Sequence, residues 1–254
     1  PYRCYHCITF PISINTSFLV SIFIQLKLIH KFKRSFKMAG SSSHKIKNNC
    51  VFCGSIPGKD KEFLEVANHI GKVLAERKIH LVYGGGSLGL MGCVSTAAFI
   101  RGSQVLGIIP KALTEGNITG KTIGEELKVL TMHKRIQKIL DHSDAFIALP
   151  GGIGILEEIF QIASWAQLKI HQKPIGLLNV NGFFNGLLSF LDHVVEQKFI
   201  SDSSRRIFIS AITPEQLIDQ LQIYVPEVDP AITQLDRSNK ERRKKARLDL
   251  SLSL

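Results

Sequence analysis

No apolar run in the sequence is long enough to cross a membrane. The longest, Phe18–Ile29, has twelve residues and is broken by Gln25 and Lys27, whereas a span needs about 20. Acid is missing from the first 37 residues, which hold six Lys/Arg and no Asp or Glu. Methionine is missing there too. Met38 is the first, so residues 1–37 are expected to be a leader outside the native fold and 38–48 a flexible N-terminus. Aromatic residues are absent from the basic run Arg237–Arg247. Without stacking side chains that run makes a poor nucleic-acid platform, and residues 226–254 read as a solvated basic tail. The formal charge of +11 sits almost wholly at the two ends, leaving +1 for residues 38–235. The two CxxC pairs, Cys4/Cys7 and Cys50/Cys53, are 42 residues apart. That is far beyond the roughly 15–20 residues of a zinc site, so no metal is expected. Unpaired thiols point to a reducing compartment, the cytoplasm with the nucleus as a second location.

Alternation between short apolar runs and helical periodicity begins near Asn49. Strands are expected at 49–53, 79–83, 104–109, 145–149, 174–179 and 206–210. Helices are expected at 60–77, from Leu88 to about Gly102, at 131–142, from about 151 to 168, at 183–197 and at 213–223, with a loop over roughly 111–129. Strands separated by helices of this length predict a single α/β domain over 49–225: a doubly wound, Rossmann-like parallel sheet with helices on both faces.

Two glycine-rich turns follow expected strands. One is Gly84-Gly85-Gly86-Ser87-Leu88-Gly89, the other Pro150-Gly151-Gly152-Ile153-Gly154-Ile155-Leu156-Glu157-Glu158. Glycine lets backbone N–H groups approach an anion, and the dipole of the helix that follows favours negative charge. Two such turns on neighbouring strands would hold a phosphate and its sugar. Gly84, Gly86 and Gly89 fit G-x-G-x-x-G, but the next strand ends Gly107-Ile108-Ile109-Pro110 with no carboxylate for ribose hydroxyls. A dinucleotide site is therefore disfavoured. Neither turn is followed by Gly-Lys-Ser/Thr, so no Walker-type loop is expected there.

The chain resembles the LONELY GUY family in its PGGxGTxxE-like segment Pro150–Glu158 and its MHxRK-like segment Met132-His133-Lys134-Arg135-Ile136. The likeness extends through Cys50-Val51-Phe52-Cys53-Gly54-Ser55, Tyr83-Gly84-Gly85-Gly86, Trp165-Ala166-Gln167-Leu168 and Lys173–Asn179. It implies a homodimer that hydrolyses N6-modified adenosine 5′-monophosphates to the free cytokinin base and ribose 5-phosphate, without a cofactor. It also implies Arg135 and Glu158 as catalytic residues. Substrate contacts are implied at Ser55, at Gly84, Gly85 and Gly86, and along Gly151, Gly152, Ile153, Gly154, Ile155, Leu156, Glu157 and Glu158. Breaking an N-glycosidic bond builds positive charge on the ribose, and a carboxylate such as Glu158 can stabilise that charge, orient the hydroxyls or activate water. A guanidinium can grip phosphate or ribose oxygens through its planar fork. A lysine-decarboxylase reading fits less well, because pyridoxal phosphate needs a Schiff-base lysine. Ser43-His44-Lys45 lies in the N-terminal stretch.

Three positions depart from the family pattern. Ile155 stands for a threonine, Ile136 for a lysine expected near substrate, and Asn117 for a glutamate. Ser164 stands for a threonine and keeps its hydroxyl. The alternative reading is thus a weakly active or inactive nucleotide-binding homologue that acts through dimerisation.

Overall fold

The computed structural model describes residues 46–114 and 119–227. Residues 1–45 and 228–254, with the leader, Cys4/Cys7, Lys45 and most of the basic tail, lie outside the described residues, as does Asn117.

Seven strands form one parallel sheet: β1 (Asn48–Phe52), β2 (His80–Tyr83), β3 (Val105–Pro110), β4 (Glu125–Val129), β5 (Ala145–Ala148), β6 (Ile175–Leu178) and β7 (Phe208–Ala211), in the order β4-β3-β2-β1-β5-β6-β7. The helices are α1 (Lys61–Glu76), α2 (Gly89–Phe99), a single turn α3 (Lys111–Thr114), α4 (Met132–His142), α5 (Ile153–Gln167), α6 (Asn185–Glu196), the single turn α7 (Asp202–Arg205) and α8 (Pro214–Gln222). The doubly wound expectation holds. The expected loop over 111–129 does not, because it contains α3 and β4. β4 reads Glu-Glu-Leu-Lys-Val and buries only Val129. As an edge strand it pairs with β3 through its backbone and leaves its charges in water, so it carries no apolar alternation.

Alternation within β1 assigns the two faces. Val51 and Cys53 point toward α1, α2 and α8, with Phe63, Ile70, Leu90, Val94 and Leu217. Cys50 and Phe52 point toward α4, α5 and α6, with Ile139, Ile159, Ile162 and Leu191. Side chains also fix where elements begin. The Asp144 carboxylate accepts from the N–H groups of Lys47 and Asn48 and so docks the start of β1 beside β5. Thr131 and Thr213 cap α4 and α8 by accepting from the N–H groups of Lys134 and Gln216. The strand order reverses between β1 and β5, and that reversal opens a crevice above their carboxyl ends.

His171 is buried beside β5 with both ring nitrogens engaged. Nε2–H donates to the Ile162 carbonyl at 2.9 Å, and Nδ1 accepts from the Lys173 N–H at 3.1 Å. The bond accepted at Nδ1 requires the neutral ring, whereas the Nε2–H donation is available to either form. Burial, with the Lys173 charge, holds its pKa down at about 4 against an ordinary 6.5. The unfolded chain therefore takes up more protons between those two values, and stability is lost as pH falls through that window. The loss is at most about 1.4 kcal/mol per pH unit. Urea unfolding at pH 7, 6, 5 and 4 is expected to show this decline in the wild type and a flatter one in His171→Gln. Equal slopes would remove His171 as its source.

Candidate active site

The crevice has a volume of about 550 Å³ and is lined by the β1 loop (Gly54–Gly58), the starts of α2 and α5, and Arg135, Glu157 and Glu158. This is the size range of small-ligand sites. Arg135, Glu157 and Glu158 are its only charged side chains among the described residues.

Arg135 comes from the first turns of α4, whose start is set by the Thr131 cap. Its guanidinium is fixed on three sides. Nε donates to the Ile108 carbonyl at the end of β3 at 3.2 Å. Nη1 lies 2.5 Å from Glu158 Oε1. Nη2 rests against Gly84, where a Cβ would come within 2.7 Å of it. Glu158 lies in the second turn of α5, with a side chain only 6% exposed. Its Oε1 meets the guanidinium in a buried ion pair. Burial pushes the Glu158 carboxyl above its ordinary value, the Arg135 charge opposes that rise, and Glu157 adds to it. Glu157 is exposed on the crevice wall.

The thiols beneath the site are not nucleophiles. Burial, and then the Glu158 charge, push both Cys50 and Cys53 well up, so they stay protonated. No lysine lines the crevice among the described residues, which leaves a pyridoxal aldehyde without a Schiff-base partner there. Among those residues no group of three His, Cys, Asp or Glu side chains is placed to hold a metal, and no helix is long and apolar enough to cross a membrane.

The two glycine turns differ in their surroundings, and they do not lie on neighbouring strands, because β1 runs between β2 and β5. The N-terminus of α2 is closed by the β1 loop. Leu90 N–H donates to the Gly54 carbonyl at 3.0 Å, Ser87 N–H to the Thr119 carbonyl at 2.8 Å, and a Cβ on Gly89 would strike the Ser55 backbone. Gly85 and Gly86 lie outside the crevice lining, packed against Ile109 and against Met91 and Thr119. The N-terminus of α5 is open. Gly152 caps it without a side chain, and a Cβ on Gly152 or Gly154 would meet nothing within 4 Å. Ile155 N–H donates to the Gly152 carbonyl at 3.1 Å, so the first-turn N–H groups that face the space an anion would take are those of Ile153 and Gly154.

Other expected contacts are only partly brought together. Ser55, Gly84, Gly151, Gly152, Gly154, Ile155, Glu157 and Glu158 line the crevice. Ile153 can offer only its N–H, since its side chain is 86% exposed. Leu156 packs against the α4–α6 core. Ile155 is buried against that core and over Gly151. Ile136 is not at the crevice at all. It joins Ile139 and Leu140 in the core stripe of α4, about 100° around the helix from Arg135. Ser164 is exposed near the far end of α5, ten residues beyond Gly154 and about 15 Å along the helix, and this chain does not bring it to the crevice. Sequence reasoning did not assign Met91, Leu113, Met132, Phe63 and Phe183 to the site, where they supply part of the apolar wall, nor Thr119 beside them. Met132 sits one turn before Arg135 and was within reach of helical spacing. Phe183 follows β6, and only the strand order brings it to the site.

A family model described as "Possible lysine decarboxylase" matches residues 91–221. The chain is 52% identical over 186 residues to the probable cytokinin riboside 5′-monophosphate phosphoribohydrolase LOGL6 of Oryza sativa subsp. japonica, covering 73% of this chain and 74% of that protein. It is 51% identical over 191 residues to cytokinin riboside 5′-monophosphate phosphoribohydrolase LOG7 of Arabidopsis thaliana, covering 75% and 88%. Among solved structures, TM1055 has a TM-score of 0.52 at 24% identity, covering 68% of this chain and 99% of that one. The Moco carrier protein of the alga Chlamydomonas "rheinhardtii" has a TM-score of 0.52 at 19% identity, covering 71% and 100%. Those two structures share the fold. The long matches at half identity place the chain by descent: it belongs to the LONELY GUY family of cytokinin riboside 5′-monophosphate phosphoribohydrolases.

Proposed function

We propose that the protein hydrolyses the N-glycosidic bond of N6-modified adenosine 5′-monophosphates, releasing the free cytokinin base and ribose 5-phosphate. The observation that carries this reading is the buried Arg135–Glu158 pair set one helical turn behind the open N-terminus of α5. The phosphate takes the N–H groups of Gly151–Gly154, with Ser55 beside them, and the ribose then lies over the pair. As the C1′–N9 bond breaks, its electrons leave with the base and the ribose gains positive charge. The Glu158 carboxylate stabilises that charge, and Arg135 holds the carboxylate and the sugar oxygens in place. Water gives hydroxide to C1′ and a proton to the base. No step calls on a cofactor.

The location of Ile136 in the core favours an active enzyme over the feeble-homologue alternative, since one of the three departures does not touch the crevice. Homodimerisation belongs to the same proposal. It is supported by family membership and by exposed apolar side chains on and after α5 and α6, such as Leu168, Phe190 and Phe199. A cytoplasmic and nuclear setting is likewise proposed, supported by the free thiols of Cys50, Cys53 and Cys93.

Purified protein incubated with isopentenyladenosine 5′-monophosphate is expected to liberate isopentenyladenine in proportion to enzyme. Arg135→Ala and Glu158→Gln should each lower turnover about 10²-fold or more. Wild-type rates in both variants would overturn the site assignment. The reaction needs ionised Glu158, and burial raises the pKa of that carboxyl above its ordinary 4.5. The acid limb of kcat/KM is therefore expected above that value, with activity lost as pH falls through it. The residual activity of Glu158→Gln should lack this limb. A limb preserved in the glutamine variant would assign it to another group.

A further inference from the structure

We propose that the Tyr83–Gly86 turn is the berth of the Arg135 guanidinium rather than a second phosphate cradle, which makes Gly84 a positioning residue for the reaction. The inference rests on the role given to Arg135 above. Three observations carry it. First, a Cβ on Gly84 would lie 2.7 Å from Arg135 Nη2 and 3.2 Å from Met91 Sδ, so the smallest side chain would already compete for the space the guanidinium fills. Second, Gly85 and Gly86 lie outside the crevice lining, packed against Ile109 and against Met91 and Thr119, and the α2 start beyond them is closed by the Ser87–Thr119 and Leu90–Gly54 hydrogen bonds. Third, the other two sides of the guanidinium are already set by the Ile108 carbonyl and Glu158, so the empty place at Gly84 completes a three-sided seat.

The seat explains why glycine follows β2 directly. Strand β2 ends in Tyr83, whose hydroxyl is anchored by the Ile123 backbone: it accepts from the Ile123 N–H at 2.8 Å and donates to the Ile123 carbonyl at 3.1 Å. The next residue is thus held at fixed height above the sheet, and the guanidinium rests on its bare Cα. A methyl group there would lift Nη2 and draw Nη1 away from Glu158. The phosphate contacts at α5 would remain intact.

A double-mutant cycle tests this. Wild type, Gly84→Ala, Arg135→Ala and the double variant are compared, with Gly186→Ala as a control, since a Cβ at that helical position meets nothing within 4 Å. The kcat and KM for isopentenyladenosine 5′-monophosphate and the thermal midpoint are read for each. Gly84→Ala is expected to lower kcat about 10²-fold while KM moves less than about threefold. The double variant should be no slower than Arg135→Ala, within about twofold, because both changes disable one unit. The Gly84→Ala change should lower the midpoint in the wild-type background and not in the Arg135→Ala background, where the space for the added methyl is vacant. A raised KM with kcat kept would return the turn to phosphate binding and overturn the proposal. Multiplicative losses, or an equal midpoint drop in both backgrounds, would overturn it too. If Gly84→Ala fails to fold while the double variant folds, the berth is supported. If neither folds, glycine is needed there irrespective of Arg135 and the berth is rejected. A wild type that releases no base would sink the proposed function, while the midpoint cycle would still decide the berth.

Discussion

The structure of the site turns on one buried charge pair. Glu158 lies in a helix whose neighbours are the apolar side chains of the α4–α6 core, and a lone carboxylate there would be costly. Arg135 offsets that cost across a 2.5 Å contact. Removing one partner of such a pair typically costs about 3–5 kcal/mol, because the other is left buried and uncompensated. The pair therefore constrains more than chemistry. It ties α4 to α5 on one face of the sheet, it ties α4 to the end of β3 through Ile108, and it requires a bare Cα at the end of β2. A change to any of these neighbours reaches Glu158 through the guanidinium.

That constraint divides labour between the two glycine-rich turns, which look alike in sequence. At α5 the helix N-terminus is uncapped by a side chain and faces open space, the arrangement a phosphate needs. At α2 the same kind of terminus is already satisfied by backbone carbonyls of the β1 loop and of Thr119. Strand order is the cause. With β1 placed between β2 and β5, its loop touches both turns: Gly54 N–H donates to the Pro150 carbonyl, while the loop covers the start of α2 at Gly89. Charge follows the same division. The only crevice cation among the described residues is engaged by a carboxylate, so an incoming phosphate depends on helix N–H groups for its neutralisation.

Much of the fold was legible in the sequence because its strands are buried on both faces. Runs such as Cys50-Val51-Phe52, Leu81-Val82-Tyr83 and Ala145-Phe146-Ile147-Ala148 are apolar throughout, as interior parallel strands must be. β4 was not legible, since an edge strand with Glu125, Glu126 and Lys128 has no apolar signature to read. The catalytic pair was legible as two motifs, though not as a contact: Arg135 and Glu158 lie on different helices, and only the β5 crossover between them brings them together. Ile136 was misplaced although its address is written in the spacing of Ile136, Ile139 and Leu140, which marks the core stripe of α4 and not the crevice wall. Ser164 and Phe183 show the opposite limits. A residue inside a recognised segment can lie far from the site, and one outside any motif can line it, because loop and helix lengths in space decide which side chains converge.

The most direct test of where the sugar phosphate lodges is a crystal structure of the protein with ribose 5-phosphate or AMP bound. The phosphate is expected on the N–H groups of Gly151–Gly154 and the ribose within hydrogen-bond reach of Arg135 and Glu158. A phosphate seated at the Gly84–Gly86 turn instead, or a ribose held away from the ion pair, would contradict the account.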